Sequence, residues 1–528
     1  MTARAPVADG EGGARGDLVL GVDLGTTGAK ALLVDVATGR PAGRGYRAYP
    51  SATSADGGHE QAPEDWWDAT AGAVREAVGS SGRRVRAVGL SGHMHAVVLV
   101  DEASRCVRPA ITWADRRSGP QVRRLRGSVD AFTAACANPV VEAFTAPKLA
   151  WLAEHEPESI RRAVRLVQPK DVLRHRLTGT WGTDTTDACG TLLYDVHRRQ
   201  WDPSLWRLCG VDRPMGPTVS SSAEVVGGVT EAAAVELGLP PGTPVVAGAG
   251  DVSTSALGAG AVAPGTVYVN AGTAAQVTTP LDEPVPGHHF VFGRAASDGF
   301  LAMASVYAVG MSVDWVARSL LAGALGGSAS AGSRLDEMAA DEPAGSSGAV
   351  YVPHLLGTSV PTHDPRVRGA FLGLTVDHRP STLARAVLEG VAFACAAAVA
   401  HVGPLAEDVT RVRIGGGLSG SSVWAETLAA VHDLPVERVA ADASPTGAAM
   451  LAGMGLGVWG DAEEAARVCV DVQPVELPAA ETVQRYRAAQ HRYEVGVEAL
   501  TEMGRRTDAD LRVPARAGGA EAAVEVGA

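Results

Sequence analysis

The chain has 528 residues, 46% of them hydrophobic, and a formal net charge of −13. That length exceeds what one hydrophobic core organises, so two large domains are expected. The acidic balance, with a pI near 5.6 and a mean hydropathy of +0.06, speaks against nucleic acid or an anionic membrane surface as the main partner.

In chain order, Met1–Gly16 is Ala/Gly-rich with mixed charge and no apolar stretch, a loose tail rather than a signal peptide. Leu18–Val36 reads as strand, Gly-Thr turn and strand. Pro63, followed by Glu64, Asp65 and an amphipathic run to Val78, opens a helix with acids at its N-terminus. Val85–Leu90 is a strand ending in the loop Ser91-Gly92-His93-Met94-His95. Val97–Val100 and Ala110–Trp113 are further strands, the latter leading into Ala114-Asp115. Helical patterns cover 145–155 and 169–177, and Pro244–Ala249 is a buried-type strand that breaks into Gly250-Asp251. The second half repeats the alternation, with a long helix over Ser381–Val399, a strand at Val412–Ile414, a helix over Ser422–Val431 and a small-residue helix over Pro445–Gly453. Ala322–Gly332 reads as a flexible surface segment, and Ala515–Ala528 as a second unanchored end. The alternation predicts an α/β protein with largely parallel pairing. Its divisions are a disordered tail at 1–17, a first domain at 18–259, a second at 260–510 and a C-terminal tail at 511–528. No apolar run approaches the ~18 residues of a membrane span. Six cysteines lie scattered without a C-x-x-C pair, which fits a reducing cytoplasm and gives no zinc site.

One phrase occurs twice: Val22-Asp23-Leu24-Gly25-Thr26 and Val269-Asn270-Ala271-Gly272-Thr273. A Gly-Thr turn between two strands offers backbone N–H groups and a hydroxyl to an oxyanion, and two such turns facing each other would grip a polyphosphate from both sides. Phosphoryl transfer also needs a carboxylate for Mg²⁺ and a group that deprotonates or orients the acceptor. Asp23, at the mouth of the first turn, has the type and position for the ion, and Asp251, after a buried strand, for the base. Each of these residues alone reads better as a turn cap; the pair beside a duplicated cradle favours function. Gly415, Gly417 and Gly420 match G-x-G-x-x-G, with Glu437 within ~20 residues, the pattern of a dinucleotide loop. So late in a chain that opens with another phosphate turn, the motif reads better as a mononucleotide loop. The His93-Met94-His95 loop offers a polyol a hydrogen-bond partner and an apolar wall, and Trp113 and Asp115 are placed to line the same cleft.

At these residues the chain resembles the FGGY carbohydrate kinases, and within them the xylulokinases. The resemblance runs from about Leu18 to Gly457. It is carried in order by Gly21–Lys30, Glu60–Trp67, Gly92–His95, Phe144–Leu149, Pro169–Asp171, Gly250-Asp251, Gly272-Thr273, Arg385–Gly390 and Ile414–Gly417. It implies an actin-like ATPase fold, two ribonuclease-H-like domains around a cleft, and transfer of the γ-phosphate of ATP to a sugar hydroxyl, the 5-hydroxyl of D-xylulose in the nearest relatives. By the same resemblance Asp251 is the general base, and Asp23 is poised at Mg²⁺ through water. Met94 and His95, with Trp113 and Asp115, contact the sugar. Gly25, Thr26, Thr27, Lys30, Gly272, Thr273, Gly415, Gly416, Gly417 and Ser421 hold ATP. Relatives commonly dimerise, which leaves a homodimer open.

The sequence departs from the xylulokinase pattern in four places: Val252 stands where an Asn follows the base, Ala114 replaces the Asn of Trp-Asn-Asp, Gly357–Pro361 replaces Gly-Glu-Arg-Thr-Pro, and Glu426 and Ala430 replace a Gln and an Asp. Lost amide groups near a sugar alter discrimination by several kcal/mol. A different sugar, polyol or cyclitol is therefore an alternative acceptor. A nucleotide-binding regulator without catalysis and a dehydrogenase built on the glycine motif are the readings from other classes.

Overall fold

The structure is a computed structural model that describes residues 17–79, 84–325, 331–360, 363–405, 409–440 and 442–506. Of the tails expected at 1–17 and 511–528, all but Asp17 lie outside the described residues.

Apolar β-formers on either side of the first Gly-Thr turn fold back on each other, so that β1 (Leu18–Leu24) and β2 (Gly28–Asp35) form an antiparallel hairpin with β3 (Pro41–Ala48) beside β2. Helix α1 (Pro63–Val78) buries Trp66, Trp67 and Val74 against this hairpin and leads to β4 (Val85–Gly92), which runs parallel to β1. Helices α2 (Thr145–His155), α3 (Pro169–Thr178) and α4 (Thr185–Cys189) follow. Then β5 (Val225–Gly228) and β6 (Pro244–Val246) extend the sheet in the order β5-β6-β4-β1-β2-β3, while the short β7 (Ala249–Gly250) pairs with the end of β4. Helix α5 (Asp251–Gly258) starts directly at β7.

The second half rebuilds the same unit. Its strands are β8 (Thr266–Ala271), β9 (Ala275–Leu281), β10 (Phe290–Gly293) and β11 (Phe300–Val306), then β12 (Arg411–Gly415), β13 (Val436–Val439) and β14 (Val472–Pro474), in the order β10-β11-β9-β8-β12-β13-β14. From β3 to β5 the pairings run antiparallel, antiparallel, parallel, parallel, antiparallel, and from β11 to β14 the order is identical. The repeated phrase is thus the tip of the same hairpin in two copies. The sheets are mixed, not largely parallel: a tight Gly-Thr turn can only join antiparallel neighbours, and parallel pairing is confined to the middle strands.

Four further helices belong to the second half: α6 (Pro380–Val402), α7 (Ser422–Val431), α8 (Ala443–Gly455) and α9 (Ala480–Arg506). Helix α6 corrects the expectation about apolar runs. Over Pro380–Leu405 it holds a window with mean hydropathy 1.8, long enough for a span, yet 83% of that window is buried inside the protein. It is the core helix of the second half, and its Arg385–Glu389 ion pair, 2.8 Å long, is capped by Tyr486 and by the backbone N–H of Gly345. The segment expected to be flexible at Ala322–Gly332 contributes a short helix, Ala322–Leu325, and the start of another, Ala331–Ala340; positions 326–330 lie outside the described residues.

The halves are interleaved. Helix α8, from the second half, lies on the first sheet: Ala449, Leu451 and Ala452 pack with Val19, Leu32 and Val34, and Gly21 and Gly89 let the α8 backbone touch β1 and β4. Helix α5, from the first half, turns Ala256 toward Tyr268 and Leu301 of the second sheet. The two helices cross where a Cβ on Gly258 would overlap the Ala443 carbonyl and one on Gly447 the Thr254 carbonyl.

Candidate active site

The strand ends and the helix crossing place the expected carboxylates together. A cavity of about 220 Å³ is lined by Asp23 and Lys30 of the first hairpin, Asp251 of α5, Asn270 and Gln276 of the second hairpin, Gly416, and Asp442 and Ser444 at the start of α8. Both copies of the repeated phrase therefore open into one crevice.

Asp23 closes β1 and is almost fully buried. Its Oδ1 accepts hydrogen bonds from Ser91 Oγ and Ser444 Oγ, both at 2.9 Å. Ser91 is also 2.7 Å from Thr254 Oγ1, so the hydroxyls link β1, β4, α5 and α8. Burial raises the Asp23 pKa against these hydrogen bonds and the charge of Lys30. Asp251 begins α5, where the helix dipole favours a carboxylate, yet burial and the charge of Asp23 push it up to about 7. One of its oxygens accepts the Val252 N–H at 2.8 Å. A carboxylate near pH 7 at a cleft is suited to taking a proton from an alcohol.

The two turns are held differently. In the first, Gly25 N–H closes on Gly28 O at 3.1 Å, Gln61 Nε2 donates to Thr26 O at 2.7 Å, and the Tyr49 hydroxyl donates to Gly25 O. In the second, among the described residues, backbone alone does the work: Gly272 N–H closes on Ala274 O at 2.9 Å, and Val309 and Met311 N–H reach Thr273 O. Gly416 adopts φ 81°, and a Cβ there would stand 2.6 Å from the Ala271 carbonyl and 2.8 Å from Asn270 Oδ1. This brings Gly416 against the end of β8 beside the second turn, where it lines the crevice, with Gly417 exposed next to it. Lys30 is partly exposed at its mouth, 3.9 Å from Asp442. Ser421 is set apart: its hydroxyl caps α7 by accepting Trp424 N–H at 3.1 Å and donates to Asp336.

On the other side of Asp251 lie the residues expected to meet the acceptor. A Cβ on Gly250 would meet Met94 Sδ at 2.6 Å, so Met94 abuts the residue before the base. His95 donates Nδ1–H to the Gly190 carbonyl at 2.6 Å, which leaves Nε2 as an acceptor. Its ring lies against Phe144 and Phe292, and burial lowers its pKa to about 4, so the imidazole is neutral. Val252 packs among Met94, Phe292 and Met303. Trp113 and Asp115 sit further out. Trp113 donates its indole N–H to Thr26 Oγ1 at 2.9 Å. Asp115 is buried with both oxygens engaged, accepting His59 N–H at 2.9 Å and the backbone and guanidinium of Arg117.

Sequence reasoning missed Ser91, Thr254 and Ser444, the hydroxyls that orient Asp23, and Thr186, whose Oγ1 accepts the Gly250 N–H at 2.8 Å. It also missed the ion cluster of α3 and α4, in which the buried Lys170 lies 2.6 Å from Asp171, 3.0 Å from Asp184 and 3.1 Å from Asp187. Of these residues the sequence singles out Ser91, as part of a loop, and Lys170 and Asp171, as part of the segment Pro169–Asp171, without the contacts they make.

Fold and site together define a two-lobed phosphotransferase of the actin-like ATPase type. The N-terminal domain of the FGGY family of carbohydrate kinases matches residues 18–258 and its C-terminal domain residues 267–456. The chain belongs to that family, and it is a sugar kinase. It is 31% identical over 478 residues to a xylulose kinase of Bacillus subtilis, covering 89% of this chain and 94% of the relative. It is 32% identical over 489 residues to a xylulose kinase of Escherichia coli, covering 90% and 97%. A xylulose kinase structure from Rhodospirillum rubrum superposes with a TM-score of 0.82 at 27% identity, covering 93% of this chain and all of that one. A gluconate kinase from Lactobacillus acidophilus reaches 0.83 at 24% identity, a likeness of fold alone that covers 92% and 98%.

Proposed function

We propose that the protein transfers the γ-phosphoryl group of ATP to a hydroxyl of a ketose such as D-xylulose, giving xylulose 5-phosphate. The observation that carries this reading is the single crevice lined by Asp23 and Lys30 of the first hairpin, by Asn270 and Gln276 of the second, and by a carboxylate, Asp251, raised to about 7. The kinship with xylulose kinases supplies the sugar.

The turns at Gly25–Thr27 and Gly272-Thr273, with Gly416 and Gly417, take the triphosphate between the lobes. Asp251 accepts the hydroxyl proton as that oxygen bonds to the γ-phosphorus and the bond to the ADP oxygen breaks. Met94 and His95 Nε2 hold the acceptor, and the His95 tautomer makes it a partner for a substrate O–H. Asp23 would hold Mg²⁺ through water. Hard oxygen donors suit this ion, and a site with few protein ligands leaves coordination places for phosphate and water; when bound it would neutralise phosphate charge. Closure of the lobes excludes water, which would otherwise take the phosphoryl group.

Val252 favours one alternative within this reading. Its side chain offers no amide beside the base, so an acceptor with fewer hydroxyls, a polyol or a cyclitol, competes with xylulose. A coupled ADP-release screen over ketoses, polyols and cyclitols, with Asp251→Ala as blank, decides between them. D-xylulose turned over best supports the main reading; turnover confined to another class replaces it; ADP release independent of any acceptor removes both.

A further inference from the structure

We propose that Trp113 is a positioning residue that aims the hydroxyl proton of Thr26 at the terminal phosphate of the nucleotide, and that Asp115 serves it by locking its loop. This rests on the reading that the turn Gly25–Thr27 receives phosphate.

A small antiparallel sheet of Ala52–Thr53, His59–Gln61 and Ala110–Ile111 flanks the first turn. Thr26 is held from two of its strands. Gln61 Nε2 donates to the Thr26 carbonyl at 2.7 Å, its amide oriented by Trp66 Nε1 donating to Oε1 at 3.0 Å. Trp113, two residues beyond the other strand, donates its indole N–H to Thr26 Oγ1 at 2.9 Å. An indole N–H can only donate. The threonine oxygen must therefore accept, and its own proton turns elsewhere; among the described residues none accepts it. With the carbonyl occupied and the hydroxyl oxygen pinned, a phosphate oxygen placed at this turn is the natural acceptor.

The loop carrying Trp113 is rigid for a reason unrelated to sugar. Asp115 receives His59 N–H and Arg117, Thr112 Oγ1 lies 2.7 Å from His59 Nδ1, and Arg117 spans from Glu60 at 2.6 Å to the face of Trp151. Asp115 is only 1% exposed, which leaves no free oxygen for a sugar.

Trp113→Phe keeps the ring and removes the N–H. Binding of a non-hydrolysable ATP analogue and of ADP, measured by calorimetry with Mg²⁺, separates the terminal phosphate from the rest, and KM for the best acceptor is read alongside. A hydrogen bond to a charged group corresponds to roughly a tenfold effect. The expected result is roughly tenfold weaker triphosphate binding with ADP affinity and acceptor KM unchanged. Thr26→Val should show the same loss, Thr26→Ser should restore it, and Trp113→Phe combined with Thr26→Val should be no worse than Thr26→Val alone. Multiplying losses in the double variant, or a change in acceptor KM with triphosphate affinity intact, overturns the proposal. If the parent binds the analogue but no acceptor releases ADP, the kinase reading falls while the binding cycle still tests Trp113. If no nucleotide binds, both fall.

Discussion

Asp251 stands at a helix N-terminus, a place that ordinarily lowers a carboxyl pKa, yet burial and the neighbouring Asp23 raise it to about 7. Two consequences follow at this residue. In the free enzyme kcat/KM should climb about tenfold per pH unit below pH 7 and level off above it, because only the deprotonated base accepts the acceptor's proton. Asp251→Asn should lower turnover about 10³-fold while nucleotide binding survives, as calorimetry would show. Stability moves the opposite way. The folded protein binds the Asp251 proton more tightly than the unfolded chain does, so its contribution is complete below the ordinary pKa of 3.8 and is lost as pH rises through about 7. Asp251→Asn should therefore melt higher than the parent at pH 8, with the gap shrinking toward pH 5. His95 shows the converse economy: its single N–H is spent on Gly190, and what remains for substrate is a lone pair.

At the scale of elements, local chemistry announced most of the boundaries. Pro63 and the acids behind it marked the start of α1, and Ser422–Val431 matches α7 as read because Ser421 caps it. The same residue shows where local reading fails. Ser421 sits beside a glycine loop, a place that points to ATP, but its hydroxyl is consumed by the helix it caps. Asp115 follows the same pattern, its partners His59 and Arg117 being readable only once two strands have paired. The pairing direction is obscured in the sequence because helix-strand alternation dominates the pattern while the short hairpins at the turns reverse it. The crossing of α5 and α8 was invisible, since small residues carry no periodic signal that says what they touch. That crossing predicts a strong effect from a mild change. Gly447→Ala gains up to about 1 kcal/mol of helix propensity, but its methyl group would overlap the Thr254 carbonyl. Overpacking typically costs about 1–3 kcal/mol, so the denaturant midpoint should fall. Activity should fall with it, because Thr254 and Ser444 belong to the hydroxyl group around Asp23.

For the whole molecule, the duplicated topology was legible from two short phrases, because identical turns demand identical hairpins. The site's location followed, since two hairpin tips and a strand-end carboxylate can share substrate only in a crevice between lobes. Ligands that bridge the lobes should stabilise the folded state by mass action, about 2.7 kcal/mol at a hundredfold excess over Kd. Adding a non-hydrolysable ATP analogue and the best acceptor together should raise the melting temperature more than either alone, and scattering should record a smaller radius of gyration.

Strand β10 reaches out of the second sheet into the first lobe, where Asn138 pairs with both backbone groups of Val291, at 2.7 and 2.8 Å, and Phe290 and Phe292 rest on Phe144. With α5 and α8 each serving the opposite sheet, neither half owns a complete interior. Cutting the chain near position 260 should accordingly yield two polypeptides that precipitate when made separately and reassemble into a working enzyme when made in one cell.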